Sequence, residues 1–405
     1  MSYLWNPWPC NILKIWGVQA AQLLQSAALI NRIRDRWPLS VVLSAPNSHT
    51  FRTTNVLIEA ATALAGWDVE RCKKWLLSVQ DFVLNVVCRT ISVSQIFPKI
   101  QRDIEALFAQ YMSYIDDYIH TPKKNRWVPT SENDYTASIP VNFHTRKSRI
   151  QSIPFLALGE NISTILYTHA AGGIPVTSDS WMREESPVVE QRIRAGHPLI
   201  ISGAFSSGEH SILTRFGRGY TDAHAGRFAA STRSTFLVHK EYPLCTGDPR
   251  IVPGRHILRA SLDTVRASLH PLVAAQFLNP HVFSAWDPWQ IQVGDFGSNN
   301  ITTVVKGDVP DGLPLIQQWP RISLSSEGHD VWSQRFTPNP DGNMVPVSVL
   351  DHFPFASERA EQIVGILWGN SWIHTVWDRI TIAMVPVSQA DITIRRIHAI
   401  LCEKN

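Results

Sequence analysis

Apolar and polar positions change their period several times along the chain, and each change marks an element. Asn11–Ile15 is a short apolar run with Gly17 just beyond it. Val18–Arg34 then places Ala20, Leu23, Leu24, Ala27, Ala28 and Ile30 at the spacing of one helix face. After the breaker Trp37-Pro38, Leu39–Ala45 (LSVVLSA) reads as an apolar strand buried on both faces. Strand, helix and strand in this order predict an α/β domain around a parallel sheet. Residues 54–119 carry helical periodicity with breaks near Gly66 and Pro98, and the polar stretch Thr121–Lys147 predicts a long connector. Strand and helix signals alternate again from Ile150 to Ala285. His197–Ser202 and Ser234–Lys240 read as strands, with a helix over Asp222–Ser231 between them.

Past Asp287 the pattern loosens. Pro310, Pro314, Pro320, Pro338 and Pro340, with Gly312 and Gly328, predict a linker or irregular excursion over 306–344. Val345–Leu350, Ser357–Leu367, Arg379–Pro386 and Ala390–Leu401 then read as strand, helix, strand and helix, enough for one small α+β module over 345–405. The expected organisation is therefore a large domain over 1–305, the linker, and that module.

Composition narrows the classes. A chain of 405 residues that is 44% hydrophobic can bury a sizeable core, and its 15 tryptophans exclude a disordered chain. Neither a glycine period nor sustained heptads point to collagen or coiled coil. A net charge of +3 is too small to argue for nucleic acid. The scattered Cys10, Cys72, Cys88, Cys245 and Cys402 form no C-x-x-C pair and read as reduced thiols of an intracellular protein. With no 18-residue apolar run and no basic segment leading into an apolar one, the expectation is a cytoplasmic protein without a membrane partner. The histidines form no H-x-x-x-H or H-E-x-x-H pair, so no protein-held metal is expected, and no G-x-S-x-G elbow is present.

Four clusters can carry chemistry. Lys14, at the end of the first strand and three residues before Gly17, can set a point charge over a phosphate at a helix N-terminus, or be a solvated strand-end lysine. In Leu158-Gly159-Glu160-Asn161-Ile162-Ser163, a glycine turn and a carboxylate at a helix start suit a small ammonium group, or simply complement the helix dipole. In Thr214-Arg215-Phe216-Gly217-Arg218-Gly219-Tyr220-Thr221-Asp222, the glycines Gly217 and Gly219 let amides approach an anion. Arg218 offers a bidentate fork there, and Thr221 and Asp222 add a hydroxyl and an acid; the plainer reading is a turn with an N-cap. Thr246-Gly247-Asp248-Pro249-Arg250-Ile251-Val252-Pro253 has turn-forming steps and an arginine that can reach a phosphate, or is a tight connection.

In this order the clusters resemble the aspartokinase family, especially its fungal type. Gly217-Arg218-Gly219-Tyr220-Thr221-Asp222 and the 246–253 run match most closely, and His270-Pro271 falls at a family His-Pro step. The resemblance covers about residues 11–305 as an amino-acid-kinase domain. More faintly, 345–405 looks like one ACT regulatory module, with Arg396-Ile397-His398-Ala399 in its last helix. It implies a three-layer α/β domain with a mostly parallel central sheet, and ATP-dependent phosphoryl transfer, with Mg2+, to the side-chain carboxylate of L-aspartate or a similar amino acid. By analogy Lys14 and Asp222 are catalytic, Lys14 stabilising charge on the transferred group. Arg218 forks onto the substrate α-carboxylate, Glu160 and Asp222 face its ammonium, and Thr221 lines the same site. Gly17, Gly217, Gly219, Lys240, Asp248 and Arg250 lie on the nucleotide side, and paired ACT modules imply a homodimer.

The chain also departs from the family. Lys14-Ile15-Trp16-Gly17-Val18-Gln19 stands where the family has Lys-Phe-Gly-Gly-Thr-Ser, so Trp16 replaces a phosphate-binding glycine. Asn161 replaces a lysine, the loop Tyr242-Pro243-Leu244-Cys245 is one residue shorter, and there is room for one ACT module rather than two. Two expectations follow. One is an aspartate kinase of primary or secondary amino-acid metabolism. The other is a degenerate paralogue that serves as a binding or partner protein, or as a repurposed enzyme of secondary metabolism. Trp16, Trp286, Trp289, Trp368, Trp372 and Trp377 motivate the second, although core or interface packing would also explain the last five.

Overall fold

A computed structural model describes residues 10–17, 22–48, 50–87, 96–120, 157–177, 187–203, 220–240, 242–247, 251–252, 256–262, 265, 290–305, 315–318, 344–350, 372–377 and 380–402, with only the backbone for 315–318, 344–350, 372–377 and 380–384. These residues fall into two compact units, Met1–His239 and Lys240–Asn405.

The first unit is built on parallel strands. β1 (Asn11–Ile15) lies between β2 (Leu39–Leu43) and β5 (Thr235–His239), and the sheet continues from β2 through β4 (Leu199–Ser202) to β3 (Ile174–Val176). Every residue of β1, β2 and β4 is buried, as expected of strands covered on both faces by helices. The covering helices are α1 (Leu23–Arg34), α2 (Thr53–Ala65), α3 (Val69–Phe82), α4 (Phe97–His120), α5 (Leu158–Ala171) and α6 (Tyr220–Ser231). This is the mostly parallel three-layer α/β arrangement expected from the opening strand–helix–strand pattern.

Local chemistry explains the helix ends. Asp68 caps α3 by accepting a hydrogen bond from the Arg71 amide at 3.1 Å. The helices over 54–119 break at Gly66, where Trp67 adopts a positive φ of 69°, and before Pro98 in the first turn of α4. Helix α5 is held to α4 by Asn161 Nδ2 on Tyr111 Oη at 3.2 Å and by the His169–Asp103 pair at 2.6 Å.

The second unit is antiparallel in character. β7 (Ile291–Asp295) and β8 (Asn300–Val305) form a hairpin, and β6 (Arg259–Ser261) runs parallel to β8. A separate sheet in the order β11-β12-β10-β9 comprises Trp372–Trp377, Ile380–Pro386, Met344–Leu350 and Leu315–Gln318. Helix α7 (Ala390–Cys402) packs on it, with Ile394 and Ile397 buried. Two of these strands were not foreseen. Leu315–Gln318 lies inside the proline-rich stretch, and Trp372–Trp377 begins and ends on tryptophans that motivated the repurposed-paralogue expectation, with packing as their plainer reading. The connector Thr121–Lys147 and the helix Ser357–Leu367 lie outside the described residues.

Candidate functional site

The cluster of interest forms at the C-terminal end of β1, where ligands of open parallel sheets commonly bind. Side chains alternate along a strand, so Ile12 and Lys14 share the face of β1 that packs against α6. Lys14 is the fourth of five buried strand residues and only 3% exposed. Its Nζ lies 2.6 Å from Oδ1 of Asp222, itself 2% exposed and third in α6. Glu160, third in α5 and 2% exposed, accepts a hydrogen bond from Tyr220 Oη at 2.6 Å. Both acids sit in the first turns of their helices, where the dipole favours negative charge.

Burial opposes the charges it encloses. It pushes the Lys14 ammonium down to about 8, against the pull of Asp222 and Glu160. It pushes Glu160 up to about 7, against the Tyr220 hydrogen bond, the amides of Glu160 and Ala45 and the Lys14 charge. Nearby, burial lowers His224 to about 4, so this imidazole is neutral; its Nδ1 lies 3.1 Å from the Gly203 carbonyl.

Trp16 lies over this cluster. The Lys14 Nζ sits 3.9 Å from the centroid of its ring, a cation–π contact. Gly17, predicted on the nucleotide side, has its missing side chain already used by packing. A Cβ there would lie 2.2 Å from Asn47 Nδ2 and 2.6 Å from the Ala45 carbonyl, while the Asn47 amide donates to the Gly17 carbonyl at 2.8 Å. Gly159 is helical rather than part of a turn before the helix, since α5 begins at Leu158. The reason is packing, because a Cβ on Gly159 would lie 2.5 Å from Ala45 Cβ.

Of the predicted site residues, the structure brings together Lys14, Glu160 and Asp222. Thr221 is buried beside them against Gly203, where a Cβ would meet its Cγ2 at 2.4 Å. Lys240 opens the second unit, half-buried, with its amide donating to the Gly294 carbonyl at 2.9 Å. Arg218, Gly217, Gly219, Asp248 and Arg250 lie outside the described residues, as do His270 and Pro271. Tyr220 is the participant that the motif contained but to which no role was given. Among the described residues no group of three or more histidines, cysteines or acids is placed to hold a metal ion, and no helix is long and apolar enough to cross a membrane.

Similarity to solved structures settles the architecture. Escherichia coli aspartokinase III in complex with aspartate and ADP (R-state) aligns over 96% of this chain and 99% of its own, with a TM-score of 0.62 at 14% identity. The same enzyme in complex with lysine and aspartate (T-state) aligns over 97% and 100%, with a TM-score of 0.59 at 13% identity. The fold is that of the aspartokinases. Clostridium acetobutylicum aspartate kinase adds a third aspartokinase match, over 97% of this chain and 99% of its own, with a TM-score of 0.58 at 11% identity. No protein-family model matches the sequence, and no curated protein resembles it in sequence. The aspartokinase likeness is therefore one of fold.

Proposed function

We propose that the chain is an aspartate kinase-like phosphotransferase, moving the γ-phosphoryl group of ATP to the side-chain carboxylate of L-aspartate. The observation that carries this reading is the charge arrangement at the end of β1. One buried lysine stands among two buried acids, so with all three ionised the described cluster is left one negative charge in excess. A substrate ammonium balances that excess, and Glu160 and Asp222 are the groups that would receive it. The substrate carboxylate oxygen attacks the γ-phosphorus, the bond to the β–γ bridging oxygen breaks, and ADP leaves with that electron pair. Lys14 supplies positive charge to the oxygens of the transferred group, which is the kind of stabilisation phosphoryl transfer requires. Mg2+ bound with the nucleotide would neutralise phosphate charge.

Arg218 as the fork on the α-carboxylate, and Gly17, Gly217, Gly219, Lys240, Asp248 and Arg250 as nucleotide-side residues, rest on the motif resemblance. The same resemblance, with the four-stranded antiparallel sheet and α7, supports an ACT-like regulatory module at 345–405 and pairing of two copies through it. The test is purified protein with Mg-ATP, L-aspartate and hydroxylamine, scored for the hydroxamate that traps an acyl phosphate. Product well above a Lys14→Ala control is expected; none above it would overturn the assignment.

A further inference from the structure

We propose that Trp16 is a positioning residue whose indole ring caps the Lys14 ammonium and competes with an incoming phosphoryl oxyanion for it, setting how tightly a phosphate chain is held. This rests on the kinase reading only in naming the phosphate chain as the competitor; the cap itself is a matter of geometry. Lys14 carries three N–H donors. One direction is taken by Asp222 at 2.6 Å and another by the Trp16 ring, whose centroid is 3.9 Å away. The ammonium is 3% exposed, so solvent does little to weaken its attraction to the electron-rich ring face. A phosphoryl oxygen bonds an ammonium at about 2.8 Å, and one approaching from the ring side would enter the volume the indole fills.

The main chain that carries the ring is also held. The Ile15 carbonyl accepts from the Ser44 amide at 3.2 Å and the Gly17 carbonyl from the Asn47 amide at 2.8 Å, which fixes the backbone on both sides of Trp16. The cap therefore opens by side-chain rotation and not by withdrawal of the strand. A desolvated cation–π contact of about 2 kcal/mol corresponds to roughly thirtyfold in anion affinity.

The experiment measures acetylation of Lys14 by mass spectrometry in the full chain, with inorganic tripolyphosphate as the protecting anion. Trp16→Leu, which keeps apolar bulk but has no ring face, is expected to be protected at a concentration at least tenfold lower than wild type. Trp16→Phe, with a smaller ring and the least risk to folding, is expected to fall between them. In the hydroxamate assay Trp16→Leu should lower the KM for Mg-ATP while the KM for aspartate stays within twofold. Equal or weaker protection in both variants would overturn the proposal. Shifted protection midpoints in a chain that makes no hydroxamate would instead sustain the cap and overturn the kinase reading alone.

Discussion

The two units bury polar groups in different ways. In Met1–His239 the strands β1, β2 and β4 are covered on both faces, and the polar groups enclosed at the end of β1 are ionisable: Lys14, Glu160 and Asp222. In Lys240–Asn405 the hairpin strand β8 alternates between exposed or half-buried and buried positions. The buried polar contacts described there are hydrogen bonds, such as Thr246 Oγ1 with His398 Nε2 at 3.0 Å and the Leu244 amide on Thr302 Oγ1 at 2.9 Å. A two-sided sheet can place a charge where water does not reach, and that charge persists only with partners at hand. A one-sided hairpin leaves its charges in water and needs buried polar atoms only to seat a loop. The first unit should therefore be far less tolerant of the loss of a single polar side chain.

The largest test of that contrast is Lys14→Ala. It leaves Asp222 buried without its cation and should cost about 3–5 kcal/mol in urea unfolding, besides abolishing turnover. Lys14→Met with Asp222→Leu removes both charges and should recover most of the stability but none of the activity. A Lys14→Ala loss below about 1 kcal/mol would mean the pair behaves like a surface one, and the contrast between units would fail.

Next in size is Tyr220→Phe, which strips a buried carboxylate of its side-chain donor and should cost about 1–3 kcal/mol. It also sharpens the pH behaviour of the first unit. Glu160 titrates near 7 folded against its ordinary 4.5, so the folded state binds that proton more tightly and stability falls as pH rises from about 4.5 to 7. Lys14 titrates near 8 folded against 10.5, so the unfolded state holds that proton longer and stability rises again from about 8 to 10.5. Between them, at about pH 7–8, lies a minimum of stability where both groups are charged and activity should peak. A bell-shaped kcat/KM profile with limbs near 7 and 8 is expected, the acid limb moving upward in Tyr220→Phe. A profile flat from pH 6 to 9 would deny both groups a part in turnover.

The smallest effect belongs to the second unit. His398→Ala removes the partner of Thr246 and should cost about 1 kcal/mol, with Thr246→Val costing about the same and the pair of changes little more than either. Because a Cβ on Gly247 would lie 3.0 Å from His398 Cδ2, His398→Ala should also loosen the 242–247 loop, visible as faster amide exchange there. A loss as large as that of Lys14→Ala would erase the difference between the units.

Much of the first unit was legible because buried parallel strands announce themselves as apolar runs. Asn11–Ile15, the core of Leu39–Ala45 and the strands at 199–202 and 235–239 fall where the pattern placed them. The second unit was less legible. Trp372–Trp377 (WIHTVW) shows no period-two alternation of apolar and polar residues, and its two tryptophans were weighed as a sign of a repurposed paralogue or as packing, not as the ends of a strand. Leu315–Gln318 is four residues among prolines, too short for periodicity to register. At the site, Lys14, Glu160 and Asp222 were identified from motifs, but their mutual contact was not, since pairing across β1, α5 and α6 is a fact of tertiary structure. Gly159 shows the same limit: it reads as a turn residue, and only the approach of Ala45 reveals why a glycine sits inside a helix.

Placing Lys14 in the register of β1, and not on a loop, has a consequence for engineering. A free lysine side chain carries about 2 kcal/mol of rotamer entropy, and here that freedom is surrendered when the sheet forms, long before any ligand arrives. Affinity gains from this preorganisation what folding has already lost. The same atoms thus set both quantities, and a variant that keeps the sheet stable by making Lys14 and Asp222 apolar together would lose the preorganised charge.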